Sequence, residues 1–554
     1  MPLFAFSPEL LLLVASHLHQ VHLLNLSLVC KHLHAVIESE LYREYNNPLI
    51  HGRSLLPFIR KLLERPVLQK HVRRIDLFAW TTSSVFQPYF HGVKDPGKME
   101  TLRENTLSEK DYHLCAQAAR AAGVICDIDP YETKSRLIDV AEHRSRKFER
   151  IPRPWYKHLF DDGVSFWKTP YDRKFCQLLR AGVEDAQVVL LLALLPKLQV
   201  IVLRSGPYDS TALEWRAGHQ FASLRELTVC APRRFSRWHL GFFNALFAKA
   251  SKLDTLQACG GSTRFNDISD PEPLDFNKRE LTLQPNSLRQ LQTLDLMHCI
   301  LKHEDLRSLI LHCPGLKSFY LHCGGLKQQK TDYPTPVAII EMLKPLGETL
   351  EVLSLNIVVG DDDIWHSDNV DYRLDSLRHM TALRTLDTCA EMWKGVGPDD
   401  LDYQGIDSDR GQLPDRLRLC HRLPPSLQTL VFHLSYERIG PALAQVSDLI
   451  QVRPDLLPNL QTLSIGAYDD YYIHELNRLV FEKATRIQAG PHPLNIRIGG
   501  HPETTTVFDT MVRPPHLPHT KWFGNKYSMR YRKPSEHGMA MKQVYHAYAL
   551  DHQD

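Results

Sequence analysis

One spacing of apolar positions keeps returning along the chain: a leucine, two residues, an apolar residue, one residue of either kind, then a residue that is usually apolar. It appears as LQVIVL from Leu198, LRELTV from Leu224, LDTLQA from Leu253 and LQTLDL from Leu291. It continues as LKSFYL from Leu316, LEVLSL from Leu350, LRTLDT from Leu383, LQTLVF from Leu427 and LQTLSI from Leu460, with a weaker copy, VRRIDL, from Val72. Consecutive strong copies lie 26, 29, 38, 25, 34, 33, 44 and 33 residues apart, so one unit recurs with loops inserted into it. The alternation at the end of the pattern predicts a short strand with one face inward, and the first leucine fills the corner before it. Helix-period stretches stand between copies: GFFNALFAKASK, EDLRSLILHCPG, VAIIEMLKPLGE and ALAQVSDLI. Burying three apolar side chains contributes roughly 5–9 kcal/mol, while ordering about 25 residues costs several times that. A single unit is therefore unstable, and stacked units that share their faces form a solenoid.

The N-terminal pattern is different. SPELLLLVASHLHQVHLLNLSLVCKHL, from Ser7, predicts short helices with apolar residues on nearly every side. Ser7 suits an N-cap, Pro8 the first helical position, and Glu9 the positive end of the helix dipole. A second helical stretch is expected over Leu23 to Leu33 and a third from about Ala35 to Tyr45. No Lys or Arg precedes Lys31, which argues against a secretory leader. The apolar run from Leu10 gives way at Ser16, too soon for a membrane span. Three short helices cannot hide this much leucine among themselves, so part of it is expected to meet a partner or the rest of the chain.

FSPELLLLVASHL…HLLNLSLVCKHLHAVIESELYREY resembles an F-box, the helical module that docks substrate receptors on the Skp-type adaptor of Skp–cullin–F-box ubiquitin ligases. Phe6-Ser7-Pro8-Glu9-Leu10 stands at the usual opening, Leu26-Ser27-Leu28-Val29-Cys30-Lys31 is the most diagnostic block, and Leu41-Tyr42-Arg43 matches the usual end. Ser7 replaces a proline, and His22 stands where an Asp commonly caps the second helix. The resemblance implies adaptor contacts at Phe6, Pro8, Glu9, Leu10, Leu11, Leu26, Val29, Cys30, Lys31 and Leu33. Behind it, LQTLDLMHCILKHEDLRSLILHCPGLKSFYLHC resembles the cysteine-containing leucine-rich repeats common after F-boxes. RSLLPFIRKLLERPVLQKHVRRIDL resembles the first repeat of the degenerate F-box/leucine-rich-repeat sets of filamentous fungi. The expected fold class is α/β: a three-helix F-box, then an irregular repeat solenoid with parallel strands on its concave face and helices outside. The expected layout is an F-box over 1–46, linker helices and a first repeat over 47–78, and an insertion over 79–187. The solenoid follows over 188–500, with a looped excursion near 390–423, and a basic, aromatic tail occupies 501–554.

By the alternation, the strand residues that face away from the core are Val202, Thr228, Gln257, Asp295, Tyr320, Ser354, Asp387, Val431 and Ser464. One strand step to either side lie Arg204, Glu226, Met297, His322, Asn356 and His433. This set is mixed, mildly acidic and nearly free of Lys, which disfavours a nucleic-acid groove and favours a protein ligand. Binding through loops is the alternative, since clustered Trp and Tyr in the insertion fit interface anchors as well as a satellite core.

Overall charge adds little: 66 Lys and Arg stand against 64 Asp and Glu. The 11 cysteines are scattered, which suggests reduced thiols in the cytosol or nucleus. The pairs His298-Cys299, His312-Cys313 and His322-Cys323 lack the close spacing of a zinc site. Asp361-Asp362-Asp363 and Asp407-Ser408-Asp409 lack the ligand ladder of a calcium loop. No phosphate loop, nucleophile elbow or H-E-x-x-H occurs, so no catalytic residue, metal or cofactor is expected. The expected partners are the Skp-type adaptor, cullin through it, and a protein substrate, with no membrane and no nucleic acid. A non-catalytic scaffold is the alternative role, and RNA binding by the tail a weaker one.

Overall fold

The computed structural model of the chain describes residues 6–47, 55–77, 107–126, 171–180, 182–203, 218–230, 238–262, 281–297, 299, 301–324, 334–358, 374, 376–393, 418–433, 439–467 and 494–500. Most of the expected insertion 79–187, most of the excursion 390–423 and the whole tail 501–554 lie outside the described residues. The chain divides into two compact units, residues 1–252 with 265–287 and residues 253–264 with 288–554.

The first unit opens with three helices, α1 (Pro8–Ser16), α2 (Gln20–Val29) and α3 (Lys31–Leu41). Ser7 caps α1 as expected, its hydroxyl accepting from the Leu10 amide at 3.5 Å. The expected single stretch Leu23 to Leu33 is broken. Cys30 is fully extended (φ −161°, ψ 162°), ends α2 and caps α3, its Sγ accepting from the Leu33 amide at 3.4 Å. The third helix also stops short of Tyr45, because Glu44–Asn47 forms a strand, β1. It pairs in parallel with β2 (Arg74–Leu77), and Tyr45 stacks on Phe58 of α4 (Leu56–Glu64) with ring centroids 4.0 Å apart. Helices Glu109–Ala121, Tyr171–Arg180 and Glu184–Ala193 follow, then β3 (Val200–Leu203) and β4 (Glu226–Cys230) extend the sheet, all strands parallel.

The second unit is a parallel ladder in chain order: Thr255–Cys259, Thr293–Met297, Ser318–Gly324, Val352–Val358, Thr385–Cys389, Thr429–His433, Thr462–Ala467 and Asn495–Gly500. Helices His303–Leu311, Pro336–Leu343 and Ile439–Leu456 fall in the intervals that the helix-period stretches mark. All nine strong copies of the apolar pattern are strands, and every corner leucine from Leu198 to Leu460 is buried. The residue after each corner carries the ladder from one strand to the next. Gln292 donates to Asp254 at 2.8 Å, Lys317 to Gln292 at 2.9 Å and Glu351 to Lys317 at 2.8 Å, and the series runs on to Asn495, which donates to Gln461 at 2.7 Å. This is the α/β architecture expected, an N-terminal helical trio followed by a parallel sheet with helices in each unit.

Cysteine serves packing here. Cys299 is buried and its thiol donates to the Ala258 carbonyl at 3.3 Å. Burial pushes the Cys313 thiol up to about 12, which keeps it protonated. Among the described residues no three His, Cys, Asp or Glu side chains converge as metal ligands, and no helix is long and apolar enough to cross a membrane.

Candidate functional site

Two surfaces hold the sequence candidates. On the N-terminal helices, Ala15, Leu23 and Ile37 form a buried cluster against which Leu18, Leu26, Val36 and Leu41 pack. Leu11 and Leu33 are buried as well, at 1% exposure each. The opposite faces of α1 and α2 are apolar and bare. Phe6, Leu10, Leu13, Val14, Val21, Leu24, Leu28 and Val29 are all exposed, from 44% at Phe6 to 76% at Leu28. Among the described residues only Val67 and Leu311 join them as exposed large hydrophobics, so this stickiness is concentrated in one small domain.

Helical spacing explains the division. Leu11 and Ala15 lie one turn apart and face inward, while Leu10, Leu13 and Val14 lie on the next faces round. Glu9, Pro8 and Lys31 are exposed at the ends of the patch, and Cys30 is half-buried because it caps α3. The Ser7 hydroxyl bonds to the Glu9 carboxylate and holds it below the usual carboxylate range. Of the ten residues that the F-box resemblance marks, Phe6, Pro8, Glu9, Leu10, Val29 and Lys31 are open to a partner. Leu11 and Leu33 belong to the core, and Leu26 packs against it. The adaptor contacts that the resemblance implies do not include Leu13, Val14, Val21, Leu24 or Leu28, which the structure leaves exposed. When a helix is apolar all round, composition does not tell which stripe is inside; only the position of α3 does. Leu33→Ala is expected to cost about 2–5 kcal/mol, read as a lowered midpoint in denaturant unfolding of the full chain.

The start of α2 is tied to the end of α3 and to β1. Gln20 Nε2 donates to the Leu41 carbonyl at 3.3 Å and to the Glu44 carbonyl at 2.8 Å. Arg65 pairs with Glu38 at 2.6 Å, tying α3 to the segment after α4.

The second surface is the outward row of the sheet. In the first unit Val202 is in register with Thr228. In the second unit Gln257, Asp295, Tyr320, Ser354, Asp387, Val431 and Ser464 stand opposite one another, strand by strand, and Arg497 continues the row. Val202, Thr228, Asp295, Ser354 and Asp387 are buried, while Gln257, Tyr320, Val431 and Ser464 are half-buried. A polar relay crosses four strands. His322 Nε2 meets Ser354 Oγ at 2.7 Å, that hydroxyl donates to Asp387 Oδ2 at 2.7 Å, and Asp387 Oδ1 meets His433 Nε2 at 2.8 Å. Burial works to raise the Asp387 carboxyl, but the His433 hydrogen bond and charge, with His322 and Ser354, outweigh it and hold the group below its ordinary value. Asp295 has no such help, and burial pushes it up to about 7. The relay joins residues 32 to 46 positions apart, which only the strand register brings together.

The family comparison agrees with the bare-faced helical trio. A family model described as F-box-like matches residues 8–47. The chain therefore carries an F-box-like domain, a protein-interaction module, and F-box domains in general bind Skp-type adaptors. No curated protein matches the chain.

Proposed function

We propose that this protein is the substrate-recognition subunit of a Skp–cullin–F-box ubiquitin ligase. The observation that carries the reading is the bare apolar face of α1 and α2 within the F-box-like match. Seven large side chains of that face, with Phe6 just before it, are kept out of the core and leave a surface that a partner helix or groove would dehydrate, each contributing roughly 1 kcal/mol or more. On this reading Phe6, Leu10, Leu13, Val14 and Val29 meet the adaptor, and cullin follows through it. The parallel ladder is read as a leucine-rich-repeat solenoid, and its outward row, from Gln257 to Ser464, is read as the side that holds a protein target. The chain makes no bond itself; it raises the local concentration of a target lysine beside a conjugating enzyme held elsewhere. All ten described cysteines are free of disulfides, in keeping with work in the cytosol or nucleus.

Affinity purification of the intact chain from cells is expected to recover the adaptor and cullin together. At least one co-purified protein is expected to live longer when residues 1–46 are deleted. Recovery of the adaptor without cullin, and with no half-life changed, identifies a scaffold instead. Failure to recover the adaptor under conditions that capture other F-box proteins overturns the reading.

A further inference from the structure

The outward row of the second unit holds more hydrogen-bond acceptors than its neighbours satisfy. Asp295 is 3% exposed, and its Oδ1 is buried with no hydrogen-bond partner among the described residues. Asn356 Oδ1 is in the same position two strands away. The two stand on a diagonal: Asp295 is in register with Tyr320, and Asn356 with His322, on the strand between them. Leaving a buried acceptor unmade carries its full desolvation cost, more when the group is ionised.

Neither oxygen has a donor among the described residues. The seven strands from Thr255–Cys259 to Thr462–Ala467 contain no Lys or Arg. The other acid of the row, Asp387, already has Ser354 and His433. The acid left over is Asp295, and Tyr320 stands beside it with an aromatic ring of the kind that cations favour.

We propose that this row takes an extended segment of the protein target, with one of its Arg or Lys side chains seated on Asp295 beside Tyr320. The cation answers Asp295 Oδ1, and donors of the same segment answer Asn356 Oδ1. An acidic or phosphorylated segment is disfavoured at this point, because it would bring like charge to Asp295 and further acceptors to Asn356. This inference rests on the reading of the row as the target-binding side.

The test uses the full chain bound to its adaptor and an immobilised peptide library in which one fixed position carries arginine, lysine, citrulline or glutamate. Arginine and lysine peptides are expected to be retained about 10- to 100-fold over citrulline, the range of a charge-assisted hydrogen bond in a desolvated site. Asp295→Asn, nearly the same shape, is expected to erase that preference without loss of adaptor. Asn356→Leu is expected to weaken retention of every peptide and keep the preference. No cationic preference, or a preference that survives in Asp295→Asn, overturns the proposal. Adaptor recovery is scored in the same samples, so failure of the ligase reading shows as a missing adaptor and failure of this inference as a missing peptide preference.

Discussion

A chain carrying Leu10→Asp, Leu13→Asp and Val29→Asp is expected to lose affinity for the Skp-type adaptor by at least about 100-fold while unfolding at the same denaturant concentration as the unaltered protein. The three side chains are about half exposed or more, so they contribute little to the core and folding should not register their loss. At an interface, each gives up roughly 1 kcal/mol of apolar burial and places an unpaired carboxylate where water is excluded. Purified adaptor and calorimetry check the affinity; urea unfolding checks the fold. The contrast is Leu11→Ala, at a side chain only one residue from Leu10 but buried, which is expected to lower stability before it touches docking. If the triple aspartate chain binds the adaptor normally, docking does not use this face.

The second large effect concerns Asp295. Its carboxyl is raised by burial to about 7, against an ordinary value of 3.8. Between pH 4 and pH 7 the folded chain therefore holds a proton that the unfolded chain has released. Stability attributable to this group is retained below pH 4, falls as pH rises, and is fully lost above about pH 7. A shift of this size corresponds to on the order of 4 kcal/mol. Asp295→Asn removes the titration. The variant is expected to match the unaltered protein below about pH 3.5 and to exceed its stability at pH 8 by that amount, read from urea midpoints. A difference between the two proteins that does not change with pH would mean that the carboxylate is solvated or paired. A change that strengthens the fold while removing a binding preference is the trade expected where a group is kept for a ligand rather than for packing.

The repeat was readable because two independent signals coincide in it. The alternation that makes a strand and the leucine that turns the corner stand at fixed offsets, and both ends of that relation are buried in every copy. The N-cap at Ser7 was readable for a similar reason, since Ser-Pro-Glu has one good use in that order. Three features were not. The break at Cys30 leaves the apolar spacing undisturbed, so nothing in the pattern marks it. Glu44–Asn47 has one aromatic among polar residues, no alternation that marks a strand, and pairs with Arg74–Leu77, about 30 residues later in the chain. The relay from His322 to His433 depends on strand register, and inserted loops of unequal length hide register from any reading of spacing.

Only Tyr42 and Arg43 separate α3 from β1, and the Arg43 carbonyl accepts from both Arg73 and Arg74, at 2.7 and 3.1 Å. The first rung of the sheet is thus the final turn of the docking module. A protein seated on α1 and α2 inherits the orientation of β1 and its neighbours as a bracket inherits that of its beam. Lengthening the chain between Leu41 and Glu44 would turn that bracket into a tether and trade aim for reach.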